Sequence, residues 1–141
     1  MQPKREADPA NDPTALVAAD VLSAAMVGAG RRLLHRLDQL GLPAPVALWV
    51  FFPGRRTWRM VIAAPGVRRS NGEASSAPDI ERAAHGAAGA VDPRPIVLDL
   101  DHPFVALVRR GAPPGSRFRE RRVHDLMVDG VRIPDLYVYR V

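Results

Sequence analysis

The residues whose types and spacing suit chemistry lie in one acidic segment and in several groups of arginine. Asp99 and Asp101 alternate at the end of a short apolar run, and His102 follows directly. Alternate side chains of a strand share a face, so two carboxylates and an imidazole are placed to hold a divalent metal ion. Such a site would support metal-dependent phosphoester hydrolysis. The alternative is a helix cap, in which Asp101 or His102 precedes a helix that begins at Pro103.

The arginines are the second candidate. Arg117, Arg119 and Arg121 alternate, so an extended chain would present three guanidinium groups on one face at intervals of roughly 7 Å. That interval is close to the phosphate repeat of a single nucleic-acid strand. The candidate anion- or nucleic-acid-binding residues are Arg55, Arg56, Arg117, Arg119, Arg121 and Arg122. The alternative is a solvated face whose arginines pair with Asp and Glu.

Composition narrows the function classes. The 141 residues carry a formal net charge of +5, and 19 of the 20 basic residues are arginine. A net positive chain is attracted to phosphate-rich or acidic partners. The chain has no cysteine, which excludes disulfides, Cys-ligated zinc and thiol catalysis. We expect a cytoplasmic protein without a membrane span, because acidic residues and small side chains interrupt the apolar N-terminal stretch.

Catalytic and cofactor motifs are missing from the sequence. It contains no Gly-x-Ser-x-Gly, no phosphate-loop Gly-Lys-Ser/Thr and no His-Glu-x-x-His. The segment from Gly28 to Arg32 has only two glycines and follows no strand, so it predicts close helix packing better than a phosphate cradle. The sequence therefore leans away from an enzyme and indicates no cofactor.

The elements that position these residues are centred on the stretch from Ala44 to Ala64. It predicts two strands joined by a turn at Pro53–Arg56, and both faces of this hairpin are apolar. We therefore expect both faces to be covered, by helices or by a partner subunit. Upstream, Asp12–Pro13 predicts the start of a helix toward Leu40, with a kink or break at Gly28 and Gly30. Its apolar stripe consists of Leu22, Met26, Leu33, Leu37 and Leu40.

Downstream, residues 65–95 predict a variable, partly mobile surface excursion with a short helix from Pro78–Asp79 to Ala84. A third strand is predicted at 96–100, and then a helix from Pro103 that turns Phe104, Leu107 and Val108 inward. Asp129–Gly130 predicts a type I′ turn in a closing hairpin, with Pro134 at a bulge or edge position. The prediction is a single α+β domain over residues 12–141, after a disordered tail at 1–11. It has a mostly antiparallel sheet of about five strands, with an N-terminal helix and a short helix packed on it.

Two segments of this chain carry a family resemblance. Residues 31–67, RRLLHRLDQLGLPAPVALWVFFPGRRTWRMVIAAPGV, resemble the front half of a family of small uncharacterised bacterial proteins from mobile or accessory gene clusters. The closing VDGVRIPDLYVYRV is similar to that family's last hairpin. The likeness covers about 60 residues of core positions, and residues 68–89 depart from the family's Gly-Pro and Tyr-bearing helix. The resemblance implies the fold and carries no activity.

Three functions are compatible with these patterns. The first is a non-catalytic interaction or accessory protein that docks a protein partner, or a second copy of itself, through an apolar face. The second is a basic accessory protein that binds nucleic acid through its arginines. The third is the metal-dependent hydrolase built on Asp99, Asp101 and His102.

The two tryptophans of the first hairpin give a test of its place in the core. Trp58 shares a face with Met60 and Ile62, toward the apolar stripe of the first helix. Trp58→Ala should therefore lower the free energy of unfolding by about 3–5 kcal/mol, through lost burial and a cavity, as chemical denaturation would measure. A variant with wild-type melting that loses binding of a partner would instead place Trp58 in an interface.

Overall fold

The computed structural model describes residues 21–67, 75–87, 93–111 and 119–141, and within them three helices and one five-stranded sheet. The elements in chain order are α1 (Ala24–Gln39), β1 (Val46–Phe52), β2 (Thr57–Ala64), α2 (Ala77–Ala87), β3 (Ile96–Asp99), α3 (Pro103–Gly111), β4 (Arg119–Val128) and β5 (Val131–Arg140). The strand order is β3-β2-β1-β5-β4, and only the β2–β3 pair is parallel. The predicted α+β class with a mostly antiparallel sheet is confirmed.

Helix α1 begins at Ala24, and residues 21–23 ahead of it are not helical. The Ser23 hydroxyl accepts a hydrogen bond from the Met26 amide at 3.1 Å, and Ser23 itself has extended backbone angles. This side-chain cap satisfies one free amide of the first turn and fixes the helix start at Ala24. Leu22 therefore lies ahead of the helix, although it still packs against the core. The predicted start at Asp12–Pro13 lies outside the described residues.

The glycines of α1 do not break it into two helices. Gly30 instead lies where the helix comes close to the sheet. A Cβ atom at Gly30 would stand 2.2 Å from the hydroxyl oxygen of Tyr139. That hydroxyl donates a hydrogen bond to the Val27 carbonyl at 2.6 Å and accepts one from the Trp49 indole N–H at 2.9 Å. The missing side chain at Gly30 therefore lets β5 bond directly to the backbone of α1.

The first hairpin is the centre of the core, as predicted. Its register pairs Phe52 with Thr57 and Val46 with Ala63, which leaves residues 53–56 as the turn. Trp58, 2% exposed, shares the face that packs against α1 and α2. The opposite face packs against α3 through residues that include Leu48, Val50, Val61, Val105 and Val108. The chain's own helices thus cover both apolar faces.

Several local predictions are confirmed and others shift by a few residues. Asp129 and Gly130 have φ angles of 51° and 78°, as the type I′ turn requires. Helix α2 forms in the predicted excursion but continues past Ala84 to Ala87. Leu40, assigned to the apolar stripe of the first helix, is 50% exposed because it is the C-cap residue beyond the end of α1.

Two glycines of α1 test the contact with Tyr139. Gly30→Ala should lower the free energy of unfolding by about 1–3 kcal/mol, because the new methyl group overlaps the Tyr139 ring. Gly28→Ala is the matched control, since its Cβ would meet only Arg32 at an ordinary 3.5 Å. That control should gain up to about 1 kcal/mol from helix propensity. Equal stabilisation of the two variants in urea unfolding would contradict the proposed contact.

Candidate anion-binding cleft

The arginines predicted to form one face are only partly described in the structure. Arg121 pairs with Val138 and Arg122 with Tyr137, so the two neighbouring side chains leave β4 on opposite faces of the sheet. The backbone of Arg119 lies in β4 opposite Arg140. Arg117 lies outside the described residues. Arg119 and Arg121 occupy alternate positions of β4, and the predicted ladder of guanidinium groups stays a prediction.

Arg122 is engaged within the fold. Its guanidinium makes two hydrogen bonds to the Asp135 carboxylate, at 3.0 and 2.7 Å, and lies 5.1 Å from the Trp58 ring centroid. Hydrogen bonding to Asp135 raises the pKa of Arg122, while partial burial opposes that shift. A bidentate pair stacked on an aromatic ring fixes the side chain, so Arg122 fits a structural role better than a ligand contact.

The acidic segment has the geometry of a turn and helix cap. The Asp99 carboxylate accepts from the Asp101 amide at 3.3 Å, and His102 Nδ1 accepts from the Phe104 amide at 3.1 Å. Across the described ranges, no group of three or more His, Asp or Glu side chains could hold a metal ion. The metal site at Asp99, Asp101 and His102 stays a prediction that this arrangement does not support.

The exposed face of α1 also carries basic residues, namely Arg31, Arg32, His35 and Arg36. They project from one helix, and Arg31 is paired with Glu120 of β4 at 2.5 Å. The hydrogen bond from Arg31 lowers the pKa of the Glu120 carboxyl, although burial acts in the opposite sense. This surface is therefore partly neutralised.

None of the described helices has the length and apolar character that a membrane crossing needs.

The open edge of β2 brings basic residues together around a concave surface. Strand β3 pairs only with Val61–Ala64, so residues 57–60 of β2 have β1 on one side and no described strand on the other. Two cavities lie along this edge, and Arg59 lines both of them. We call the pair of cavities the edge cleft.

The first cavity of the edge cleft, the Arg94 cavity, has a volume of about 390 Å³, and four of its lining residues are ionisable. Its lining residues are Arg59, Glu81, Ala84, His85, Arg94 and Pro95. Glu81 is the one acidic side chain among them, against two arginines and one histidine. Guanidinium groups that converge on a cavity of this size are suited to a phosphate or carboxylate group.

The second cavity, the Phe52 cavity, has a volume of about 300 Å³ and a more apolar lining. Its lining residues are Phe52, Arg55, Thr57, Arg59 and Ile96. Phe52, Thr57 and Ile96 are partly buried, whereas Arg55 is exposed. The cavity thus combines an aromatic ring, a hydroxyl group and two cationic side chains, a set that can bind both an apolar ring and an anion.

Arg59 is held at the cleft with its hydrogen-bonding capacity only partly used. Its Nη2 donates to the Arg94 carbonyl at 3.3 Å, while its Nε is buried and has no hydrogen-bond partner in the described structure. A buried donor without a partner costs about 1–3 kcal/mol. The position therefore carries a cationic side chain at an expense in stability.

The backbone at Arg94 is also strained. Arg94 has a φ angle of 40° and lies between Pro93 and Pro95, both of which are buried. A residue that precedes proline normally adopts extended angles, so this conformation is held by its surroundings. Strained positions of this kind concentrate at functional sites. The two prolines fix Arg94 at the mouth of the cleft, immediately before β3.

The sequence points to only part of this site. Arg55 was predicted as a ligand residue and lines the cleft, whereas Arg56, also predicted, is exposed in the turn at a φ angle of 53°. Arg59 lies three positions after Arg56 in the sequence, next to these two predicted residues. Arg94 and His85 were missed, because they meet Arg59 only through long-range packing. The available signal in the sequence was the Pro93-Arg94-Pro95 segment directly ahead of a predicted strand.

Comparison of the chain with protein-family models, curated proteins and solved structures finds no match.

The partnerless Nε of Arg59 leads to a stability prediction. Arg59→Met keeps an unbranched side chain of similar length but removes the buried donor. The free energy of unfolding should stay constant or rise by up to about 1 kcal/mol in urea denaturation. Leu48→Ala, a fully buried residue of β1, is the positive control and should lose about 2–5 kcal/mol. A loss of similar size in Arg59→Met would show that Arg59 is a structural residue.

Proposed function

We propose that this protein is a non-catalytic accessory protein that binds nucleic acid at the edge cleft. The observation that carries the proposal is the convergence of Arg55, Arg59 and Arg94 on two adjoining cavities with Glu81 as the one acidic lining residue. Phosphate groups bind guanidinium through paired, charge-assisted hydrogen bonds. The net charge of +5 adds long-range attraction for a polyanion.

The cleft suits a polymer because it is open along a strand edge. Arg55 contributes at the turn, Arg59 at the middle of the edge and Arg94 at the start of β3, so the cationic groups follow a path. Successive phosphates of one strand can contact groups placed along such a path. The summed contacts supply the affinity, and released counterions make that affinity dependent on salt.

Docking of a protein through an apolar sheet face has less support. That expectation was motivated by the two apolar faces of the first hairpin, and α1, α2 and α3 cover those faces. The large apolar side chains that are exposed in the described residues are few: Val21, Leu40, Met127 and Val131. A protein partner or self-association stays a prediction.

Binding of a fluorescein-labelled DNA, measured by fluorescence anisotropy at low salt, tests the proposed function. Arg59→Met and Arg94→Met should each weaken binding by about ten-fold or more. Each lost phosphate contact should also reduce the log-log salt slope by about 0.9 on duplex DNA or 0.7 on a single strand.

Arg109→Met is the matched control, since it removes the same charge from an exposed position of α3 that lines neither cavity. Its affinity should stay within about two-fold of wild type, with the small general effect that net charge produces. Absence of DNA or RNA retention at low salt would refute the function. An equal loss in all three variants would place the interface elsewhere.

A further inference from the structure

The two cavities of the edge cleft differ in chemistry in a way that bears on the form of the nucleic acid. The Arg94 cavity has ionic side chains from β2, α2 and the segment before β3. The Phe52 cavity has an aromatic ring and the Ile96 side chain as its apolar walls, with the Thr57 hydroxyl beside them. One cavity therefore suits a phosphate group, and the other suits a flat, partly apolar ring with polar edges.

Arg59 joins these two environments. Because it lines both cavities, a group bound in one of them lies beside a group bound in the other. A nucleotide has this composition, since its phosphate and its base are joined through one sugar. The guanidinium of Arg59 can contact the phosphate, while Phe52 offers the base a ring on which to stack.

A duplex cannot use the Phe52 cavity without being opened. Its bases are stacked and paired inside, and its phosphates lie on the outer surface. A single strand has bases that can rotate out of the stack and pack against aromatic side chains. Contact with phosphate alone would leave the Phe52 cavity without a role, whereas a single strand can occupy both.

We propose, building on the nucleic-acid-binding function above, that the edge cleft is specific for single-stranded nucleic acid. One base lies in the Phe52 cavity against Phe52, and an adjacent phosphate lies at Arg59 and Arg94. The stacking contact favours no particular sequence, because every base presents a flat face. The cleft therefore discriminates single strands from duplexes, and the Phe52 ring provides that discrimination.

The test compares a labelled oligothymidylate of about twelve nucleotides, within the usual site size of small binding modules, with a duplex of the same length. Wild-type protein should bind the single strand about ten-fold more tightly. Phe52→Leu removes the ring while keeping an apolar side chain, and it should weaken single-strand binding by about ten-fold with no effect on the duplex. Phe104→Leu is the matched control, because Phe104 is a partly buried aromatic residue of the same core cluster that does not line the cleft. Its affinity should equal that of wild type.

A second experiment changes the oligonucleotide instead of the protein, so its result does not depend on whether a variant folds. A strand of the same length with abasic sites keeps every phosphate and lacks the bases, so wild-type protein should bind it about ten-fold more weakly than oligothymidylate. Equal affinity for the abasic strand, the duplex and the oligothymidylate would overturn the single-strand inference and leave the nucleic-acid-binding function intact. Failure of all three to bind at low salt would overturn both.

Discussion

The buried hydroxyl of Tyr139 is the contact on which the packing of α1 against the sheet depends. It bonds to the Trp49 indole of β1 and to the Val27 carbonyl of α1, so one group joins a central strand, its neighbour and the covering helix. The phenol is neutral and able to donate at physiological pH, and burial raises the pKa of Tyr139 further above that range. The approach is close enough to require glycine at position 30. A buried polar network with all its partners in place specifies one register of helix on sheet.

The rest of the architecture follows from covering both faces of the first hairpin. Once α1 and α2 lie on one face and α3 on the other, β1 is enclosed by β2 and β5, and the accessible part of this hairpin is the outer edge of β2. Strand β3 protects only the second half of that edge. Arg59 lies on the remaining half, which has no described strand beside it. A charged side chain there also discourages edge-to-edge pairing with another chain.

The sequence predicted the parts of the fold that depend on local patterns. Two runs of β-branched and aromatic residues around Pro53–Arg56 were sufficient for the first hairpin, and the Asp129–Gly130 turn was sufficient for the second, because these signals lie in neighbouring residues. The helix that begins at Ala24 depends on a serine cap at Ser23, which the sequence analysis did not predict, while the predicted start at Asp12–Pro13 lies outside the described residues. The cleft was beyond local patterns. Arg59 and Arg94 are 35 positions apart, and their contact depends on the parallel pairing of β2 with β3.

The measurement that tests the central claim most directly is a two-dimensional ¹H–¹⁵N NMR titration of the protein with oligothymidylate. Binding at the edge cleft predicts that the largest shift changes fall on Thr57, Arg59 and Arg94, three residues that line it. Changes confined to the basic face of α1, at Arg32, His35 and Arg36, would contradict the cleft as the binding site. An unchanged spectrum at saturating oligonucleotide would contradict nucleic-acid binding itself.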